Sequence, residues 1–331
     1  MALPQLPEAP MNHTITAVDG LDVGHYTDSK NATGCTVFLF SEGTVGGVDV
    51  RGGSPGTRET DLLRPVHRVD QIHAVILSGG SAYGLDAASG VVAYLESRGI
   101  GFKVGSAIVP IVSSAILYDL GVITSEARPS AEDGKNACLA ASSEPMPEGS
   151  VGAGTGATVA KSGGFNRSVK GGIGTAAITL STGQTVAAAV AVNAVGGVWD
   201  YKSGKLLAGP RRTDGSFEDP VAMLIRGLDD SPSGPVNTTI GLVATDAKLS
   251  KEDTNYLAGV SHDGLALTIR PCHTVRDGDT MFAVATGRNE SKLDLTSMGA
   301  AAVEVTAQAV IRAIQQATGL GGIPSLHELK C

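Results

Sequence analysis

The sequence has few aromatic residues and few cysteines, and it has no long uninterrupted hydrophobic run. Only 4% of its 331 residues are aromatic, and its four cysteines show no C-x-x-C spacing. A disulfide framework or a zinc knot needs regularly spaced cysteines. We therefore predict reduced thiols and a cytoplasmic protein.

The sequence predicts no segment that targets or anchors the chain. The longest apolar runs, 104–118 and 186–198, are broken by Pro, Ser, Asn or Gly and fall short of the ~20 residues that span a bilayer. The first residues contain neither a basic cluster nor an apolar core, so they do not resemble a secretory signal. We expect residues 1–13 to form a flexible tail and expect no membrane association.

Blocks of like charge are absent as well. The formal net charge is −8, and acidic and basic residues are interspersed along the chain. A surface that binds nucleic acid or anionic lipid needs clustered Lys and Arg. We therefore predict that nucleic acid is not a partner and that the charge serves solubility.

Glycine, in contrast, is abundant. The chain contains 44 glycines in 331 residues, about twice the usual frequency of roughly 7%. Tight turns and close backbone approaches are expected throughout. A chain of this length can bury well over half of its unfolded surface, and we interpret 1–331 as a single domain.

Hydrophobic periodicity predicts strands and helices that occur in clusters. Apolar and β-branched runs between turn residues predict strands at 36–40, 44–50, 74–77, 173–180, 185–193, 238–245 and 280–285. Helical spacing predicts helices at 85–98, 136–143, 250–267 and 297–318, the third beginning with a Ser-x-x-Asp capping signal. This clustering favours an α+β layered sandwich over a doubly wound parallel sheet.

The most informative junction is a polar segment that runs directly into a strand. Residues 202–236 are rich in Gly, Pro, Asp and Arg and are interpreted as a linker. It ends at Asn237, and Thr238 and Thr239 open a β-branched strand. Hydroxyl residues are common at strand starts, so spacing alone favours a structural role for this junction.

Seven blocks of sequence, in order, resemble one protein family. They are RGGSPGTRETD (51–61), LSGGSAYGL (77–85), SSAILYD (113–119), GAGTG (152–156) with Lys161, VN (192–193), NTTI (237–240) with ATDA (244–247), and DGDT (277–280). The family is that of self-processing N-terminal-nucleophile hydrolases, which includes nylon-oligomer (6-aminohexanoate oligomer) hydrolases, L-aminopeptidase/D-Ala-esterase/amidases and β-aminopeptidases. The resemblance covers about residues 14–318.

The resemblance implies a four-layer α-β-β-α sandwich that cuts itself between Asn237 and Thr238. Residues 14–237 would become a large subunit, with 202–237 as its linker and processing loop. Residues 238–331 would become a small subunit that starts with the nucleophile. The two fragments are expected to remain associated as α and β subunits, in a homotetramer.

The chemistry at Thr238 follows from its functional groups. A threonine hydroxyl is a poor nucleophile at neutral pH and needs an adjacent base. Cleavage before Thr238 would release an α-amino group with a pKa of roughly 8, which can accept the hydroxyl proton and return it to a leaving amine. The first bond attacked would be the protein's own, giving an ester that water resolves.

The resemblance also assigns roles to residues elsewhere in the chain. Asn193 would donate an N–H to the tetrahedral oxygen, with help from Tyr118. Lys161 would keep the amine neutral or anchor the hydroxyl. Asp277 and Asp279 would hydrogen-bond Lys161 or orient the amine. Without the resemblance, these residues would be interpreted as a turn cap, a solvated lysine and an Asp-Gly hairpin turn.

Threonine with two aspartates places the chain nearer the nylon-oligomer hydrolases, since the β-aminopeptidases carry a serine nucleophile and a Ser and a Glu in the corresponding block. Linear amides such as 6-aminohexanoate oligomers are therefore the first predicted substrates. Two alternatives remain open. One is an aminopeptidase, amidase or esterase acting on short peptides, and the other is a catalytically silent structural homologue.

Cofactor and metal sites are predicted to be absent. The GAGTGA segment (152–157) fits a loose dinucleotide fingerprint, but no strand is predicted before it and no acidic residue follows until Asp200. His273 could join Asp277 and Asp279 in a cation site, yet no second histidine lies at ligand spacing.

Overall fold

Two five-stranded sheets dominate the computed structural model, which describes residues 12–228, 237–292 and 294–329. Most of the predicted tail, and residues 229–236 of the predicted processing loop, lie outside the described residues. In chain order the strands of the two sheets are β1 (Leu21–Asp28), β2 (Thr33–Phe40), β3 (Val45–Val50), β4 (Thr57–Arg58), β5 (Ala74–Ser78), β6 (Val112–Ile116), β7 (Gly172–Thr179), β8 (Thr185–Asn193), β9 (Thr238–Ala247) and β10 (Thr280–Asn289).

The first sheet has the order β1-β2-β5-β6-β4 and the second the order β7-β8-β9-β10-β3. Neighbouring strands are antiparallel except for one parallel pair in each sheet, β5 with β6 and β9 with β10. Shorter strands pair outside these sheets at Phe102–Val104 with Ala107–Val109, at Thr158–Val159 with Val169–Lys170, and at Gly197–Trp199 with Leu206–Ala208 and Ile269–Arg270.

Five α-helices accompany the sheets within the described ranges. They are α1 (Ala87–Ser97), α2 (Ala131–Leu139), α3 (Pro220–Ile225), α4 (Lys251–Thr268) and α5 (Leu295–Gln315). The predicted cap of α4 is confirmed, because the Ser250 side chain accepts a hydrogen bond from the N–H of Asp253. None of the helices in the described part of the chain combines the length and apolar composition needed to cross a bilayer.

Three hydrophobic clusters separate the layers and explain why the strands are apolar on both faces. Successive residues of a strand point to opposite sides. Val37 and Ile76 therefore pack under α1 and α2, while Phe38 and Leu77 meet the second sheet. On the second sheet, Val190 packs towards α4 and α5. The order of layers is helix, sheet, sheet, helix, as the resemblance implied.

Close packing of α5 on the second sheet depends on small residues. A Cβ on Gly174 of β7 would lie 2.2 Å from the carbonyl oxygen of Ala309 in α5. Between the sheets, Phe38, Ile240 and Phe282 are fully buried, and each such side chain contributes roughly 1.5–3 kcal/mol. The second sheet, which carries the Asn237–Thr238 junction at one end, is thus covered on both faces.

Several local predictions need correction. The helix predicted at 136–143 spans Ala131–Leu139, because Ser130 and Asp133 form a capping box that begins it earlier. The described part of the predicted linker, 202–228, contains the strand Leu206–Ala208 and helix α3, whose N-terminus is capped by Asp219. Strand β6 was not predicted.

Candidate active site

The Asn237–Thr238 junction lies where three strands of the second sheet begin or end. Because β8 and β9 are antiparallel, the last residue of β8, Asn193, is directly opposite Thr238, the first residue of β9. Strand β10 runs parallel to β9, so the turn that precedes it, with Asp277 and Asp279, reaches the same end of the sheet. The topology therefore gathers residues that are distant in sequence.

The carbonyl group of Asn237 is contacted from two sides. The Thr238 hydroxyl donates a hydrogen bond to the Asn237 carbonyl oxygen. The main-chain N–H of Gly278 donates to the same oxygen, at 3.2 Å. Glycine is required at 278, since a Cβ there would lie 2.9 Å from the Thr238 hydroxyl oxygen and 2.7 Å from the carbonyl oxygen of Ser54. The scissile carbonyl predicted from the sequence is thus enclosed by a hydroxyl and a polarising N–H donor.

Asn193 is the centre of a buried hydrogen-bond network. Its side-chain oxygen accepts hydrogen bonds from Lys161 Nζ at 2.7 Å and from the Thr158 main-chain N–H at 3.0 Å. Its side-chain nitrogen donates to the main-chain oxygen of Tyr118 at 2.9 Å. Asn193 is therefore not a turn cap. The structure brings Lys161 to Asn193, and Tyr118 contacts this network through its backbone.

Lys161 is only 1% exposed, which contradicts the simple interpretation of a solvated lysine. It begins a short 3-10 turn, Lys161–Gly163, directly after Ala160, whose φ of 62° lies in the left-handed region. Burial lowers the pKa of Lys161 to about 7, against the opposing charges of Asp277 and Asp119. A lysine with this pKa exchanges protons near neutral pH.

The two aspartates of the DGDT block have different partners. Asp277 accepts hydrogen bonds from the N–H and hydroxyl of Thr274. Burial and the charge of Asp279 together raise the pKa of Asp277 to about 6, against the opposing effects of the Thr274 hydrogen bonds and the charge of Lys161. Asp279 accepts the N–H of Thr239 at 2.7 Å. The structure thus places Asp277 near Lys161, and binds Asp279 to the residue that follows Thr238.

The RGGSPG segment supports the aspartate turn from outside. The N–H of Ser54 donates to the Asp277 carbonyl oxygen at 2.8 Å, and the N–H of Arg51 donates to the Asp279 carbonyl oxygen at 3.0 Å. A Cβ on Gly52 would lie 2.3 Å from the Asp277 carbonyl oxygen, so this approach is possible only with glycine. This first block of the family resemblance therefore holds the last block in place.

Asp119 and Lys170 are two further buried charged residues that were not predicted from the sequence. Asp119 accepts hydrogen bonds from the Gly80 N–H and the Thr33 hydroxyl, both at 2.7 Å, while burial raises its pKa to about 6. Lys170 is fully buried, and burial lowers its pKa to about 7. The signal was available, since Asp119 ends one family block, but a lone Asp or Lys is usually solvated.

Removing the Lys170 ammonium is expected to destabilise the fold. Its Nζ donates to the carbonyl oxygens of Gly154, Ala157 and Gly171 at 3.1, 2.9 and 2.9 Å. Lys170→Met would remove all three hydrogen bonds of this buried ammonium group, at a cost of roughly 3 kcal/mol.

Urea unfolding measures this cost, and exposed Lys103→Met is the control. Both substitutions are best made in a Thr238→Ala background, so that one continuous chain unfolds. A loss below about 1 kcal/mol for Lys170→Met, which is the size of one ordinary hydrogen bond, would contradict the structural role of this ammonium group.

A pocket of about 200 Å³ opens beside Lys161. Its wall is mainly apolar and is formed by Tyr118, Asp119, Leu120, Gly121, Val122, Lys161 and Phe165. Ligand sites typically combine apolar walls with a few polar groups. Within the ranges that the structure describes, no group of three or more His, Cys, Asp or Glu side chains is arranged to hold a metal ion.

Comparison with known proteins agrees with the resemblance. The sequence profile of peptidase family S58 matches residues 13–326. An uncharacterized aminopeptidase of Mycobacterium leprae is 43% identical, over 97% of this chain and 94% of the relative. A 6-aminohexanoate-oligomer endohydrolase of Kocuria sp. is 31% identical, over 89% of this chain and 84% of that enzyme.

The fold is shared with a solved hydrolase. The L-aminopeptidase D-Ala-esterase/amidase from Ochrobactrum anthropi, described as a variant of the Ntn hydrolase fold, superposes with a TM-score of 0.69. The two sequences are 21% identical, and the match covers 97% of this chain and 91% of that one. The predicted sandwich of the N-terminal-nucleophile type is therefore confirmed. Together with the profile match over residues 13–326, these findings show that the chain belongs to peptidase family S58 and is an aminopeptidase- or amidase-type hydrolase.

Proposed function

We propose that this protein cuts its own Asn237–Thr238 bond and then hydrolyses amides with Thr238 as its N-terminal nucleophile. The observation that carries the proposal is the contact between the Thr238 hydroxyl and the Asn237 carbonyl oxygen, to which Gly278 also donates an N–H at 3.2 Å. Holding a nucleophile against the group it attacks can lower the barrier by roughly 7–11 kcal/mol.

Self-cleavage would proceed as an acyl shift from nitrogen to oxygen. The Thr238 oxygen attacks the Asn237 carbonyl carbon, and its proton passes to a nearby base. Lys161 suits that role, since burial lowers its pKa to about 7 and a fraction of it is neutral at physiological pH. The C–N bond then breaks, the Thr238 nitrogen takes a proton, and water hydrolyses the resulting ester.

The negative charge that develops on the carbonyl oxygen requires preorganised donors. The Gly278 N–H already points at this oxygen. Asn193 lies opposite Thr238 and carries two side-chain N–H groups, one of which is engaged by the Tyr118 carbonyl. The second N–H is the donor we assign to the oxyanion, with no role required for the Tyr118 hydroxyl.

In the intact chain, Thr238 is only 4% exposed. This geometry serves the internal bond, and an external amide requires the site to open after cleavage. The new α-amino group of Thr238 would then act as the base for its own hydroxyl. The two fragments, 14–237 and 238–331, would remain associated, because β8 and β9 are central neighbours in one sheet.

Linear amides such as 6-aminohexanoate oligomers are the substrates we propose first. The apolar wall of the pocket beside Lys161 suits a methylene chain, and the Kocuria relative is named for that activity. Release of N-terminal residues from short peptides is the second candidate, supported by the name of the Mycobacterium leprae relative. The pocket lining is compatible with both.

A denaturing gel of purified protein tests the proposal. Cleavage of the 33.5 kDa chain after residue 237 predicts two bands near roughly 24 and 10 kDa. A single band after long incubation, together with no hydrolysis of any amide tested, would instead support a catalytically silent homologue. Parallel assays with aminohexanoate oligomers and amino-acid p-nitroanilides then decide between the two substrate classes.

A further inference from the structure

We propose that His273 is a positioning residue that holds the carboxylate of Asp279 against the backbone of the strand that begins with Thr238. This inference rests on the proposed function and deepens it, because it names a group outside the assigned site residues that sets the geometry of the nucleophile. Nothing in the sequence alone pointed to this role. The sequence indicates His273 only as a candidate cation ligand.

The Asp279 carboxylate bridges two chain segments. One oxygen accepts the main-chain N–H of Thr239 at 2.7 Å. The other accepts two hydrogen bonds from His273, from its main-chain N–H at 2.9 Å and from its ring Nδ1 at 2.8 Å. The carboxylate, which is 2% exposed, is therefore held by His273 on one side and holds the start of β9 on the other.

The backbone of His273 is unusual. Its φ of 55° lies in the left-handed region, which non-glycine residues enter at an energetic cost. In this conformation the main-chain N–H and the ring Nδ1 of the same residue both reach one oxygen of Asp279. The surrounding contacts maintain this conformation, and its result is the double hydrogen bond.

A second histidine packs against the first. The ring centroids of His262 and His273 are 4.8 Å apart, with the rings edge to face, and His262 Nε2 lies 3.0 Å from the carbonyl oxygen of Asp49. Burial lowers the pKa of His262 to about 4. Burial also acts to lower the pKa of His273, but the hydrogen bonds and charges of Asp279 and Cys272 together outweigh burial and raise that pKa to about 10. The charged and titratable groups that act on the two rings are Asp49, Arg51, Cys272 and Asp279.

The consequence for Thr238 follows from its place in the chain. Thr239 is the next residue, so the bond from its N–H to Asp279 limits how far Thr238 can move. Losing the ring of His273 would leave one oxygen of Asp279 with only the main-chain donor. A displacement of about 1 Å at a reacting group can reduce a rate about 100-fold. We therefore expect His273 to affect the rate of bond breaking more than substrate binding.

Two substitutions separate this role from backbone strain. His273→Gly removes the ring and keeps the left-handed backbone without strain, so it should fold. His273→Asn also tolerates that backbone and places an amide N–H close to the position of Nδ1. We expect His273→Gly to slow self-cleavage at least about tenfold. The self-cleavage rate of His273→Asn should stay within about threefold of the wild-type rate, because its amide N–H keeps Asp279 in place.

The measurement is the first-order rate of band conversion in freshly synthesised precursor, followed by kcat and KM of the processed proteins with a p-nitroanilide. The exposed His67→Ala variant is the control, and circular dichroism reports folding. We expect the kcat of His273→Gly to fall while its KM stays the same.

A His273→Gly protein that cleaves as fast as wild type would overturn the positioning role alone. A His273→Asn protein as slow as His273→Gly would overturn it too. A wild type that neither cleaves nor hydrolyses amides would overturn the proposed function and this inference with it.

Discussion

Thr238→Ala is expected to yield one intact chain of 33.5 kDa without amide-hydrolase activity. The substitution removes the hydroxyl that donates to the Asn237 carbonyl oxygen. Among the described residues, the other donor to that oxygen is the Gly278 N–H, which cannot act as a nucleophile. Loss of a catalytic nucleophile typically reduces kcat by about 10⁶-fold. A denaturing gel over several days and a p-nitroanilide assay measure the two effects.

The neighbouring threonine provides a matched control. The Thr239 hydroxyl is buried and has no hydrogen-bond partner in the described structure, so Thr239→Val should fold, cleave and hydrolyse like wild type. Thr238→Ser keeps a hydroxyl at the same position and should still cleave. A Thr238→Ala protein that splits at Asn237, or that hydrolyses amides, would refute the assignment of the nucleophile.

Lys161→Met is expected to slow self-cleavage by about 10²–10⁴-fold, the usual contribution of a general base. Its Nζ is 2.7 Å from the side-chain oxygen of Asn193, which lies opposite Thr238. Methionine fills a similar volume but can neither accept the hydroxyl proton nor donate to Asn193, so the pH dependence separates lost proton transfer from a displaced Asn193. The rate is followed by band conversion in fresh precursor.

The pH dependence of wild-type cleavage should have the same origin. Burial lowers the pKa of Lys161 to about 7, and only the neutral amine can accept a proton. The rate should therefore rise as the pH increases through about 7 and level off above it. In Lys161→Met this step should disappear. A wild-type rate that is flat between pH 6 and 8 would contradict the role of Lys161 as base.

Lys251→Met is the control for burying a methionine in place of a lysine. Lys251 is 6% exposed, and its Nζ donates to the carbonyl oxygens of Leu62, His67 and Val69. The substitution should lower the free energy of unfolding, yet the folded precursor should cleave at the wild-type rate. If it slowed cleavage as much as Lys161→Met, general destabilisation would explain both variants.

Long elements with a clear pattern were predictable from local sequence. The strand at 185–193 matches β8 at both ends, and the capping signal at Ser250 located the start of α4. The helix predicted at 136–143 lies at 131–139, because the capping box of Ser130 and Asp133 starts it earlier. The local pattern predicts a strand at 44–50 but does not identify the strand it pairs with. In the structure, β3 leaves the sheet of β1 and β2 and joins the second sheet, where it pairs with β10, more than 200 residues away.

The candidate site was predicted by family resemblance, and spacing alone favoured other interpretations. Asn193, Lys161 and the DGDT turn each have a common structural explanation. The contacts among them span 32 residues from Lys161 to Asn193 and 40 from Thr239 to Asp279. No periodicity can indicate such pairings. Lys170 and His273 were missed for the same reason, since their partners are backbone or carboxylate oxygens supplied by the fold.

The sequence by itself determined most of the long strands and helices, the family of the chain and the position of the Asn237–Thr238 junction, because these depend on local composition, periodicity and ordered motifs. Only the tertiary structure decided which residues meet there. Burial in the folded chain removed water from Lys161 and Asp277 and shifted their pKa values towards neutrality. The antiparallel neighbour β8 and the parallel neighbour β10 then placed Asn193 and Asp279 at the start of β9. Such effects arise from three-dimensional packing and long-range pairing, which no local stretch of the chain encodes.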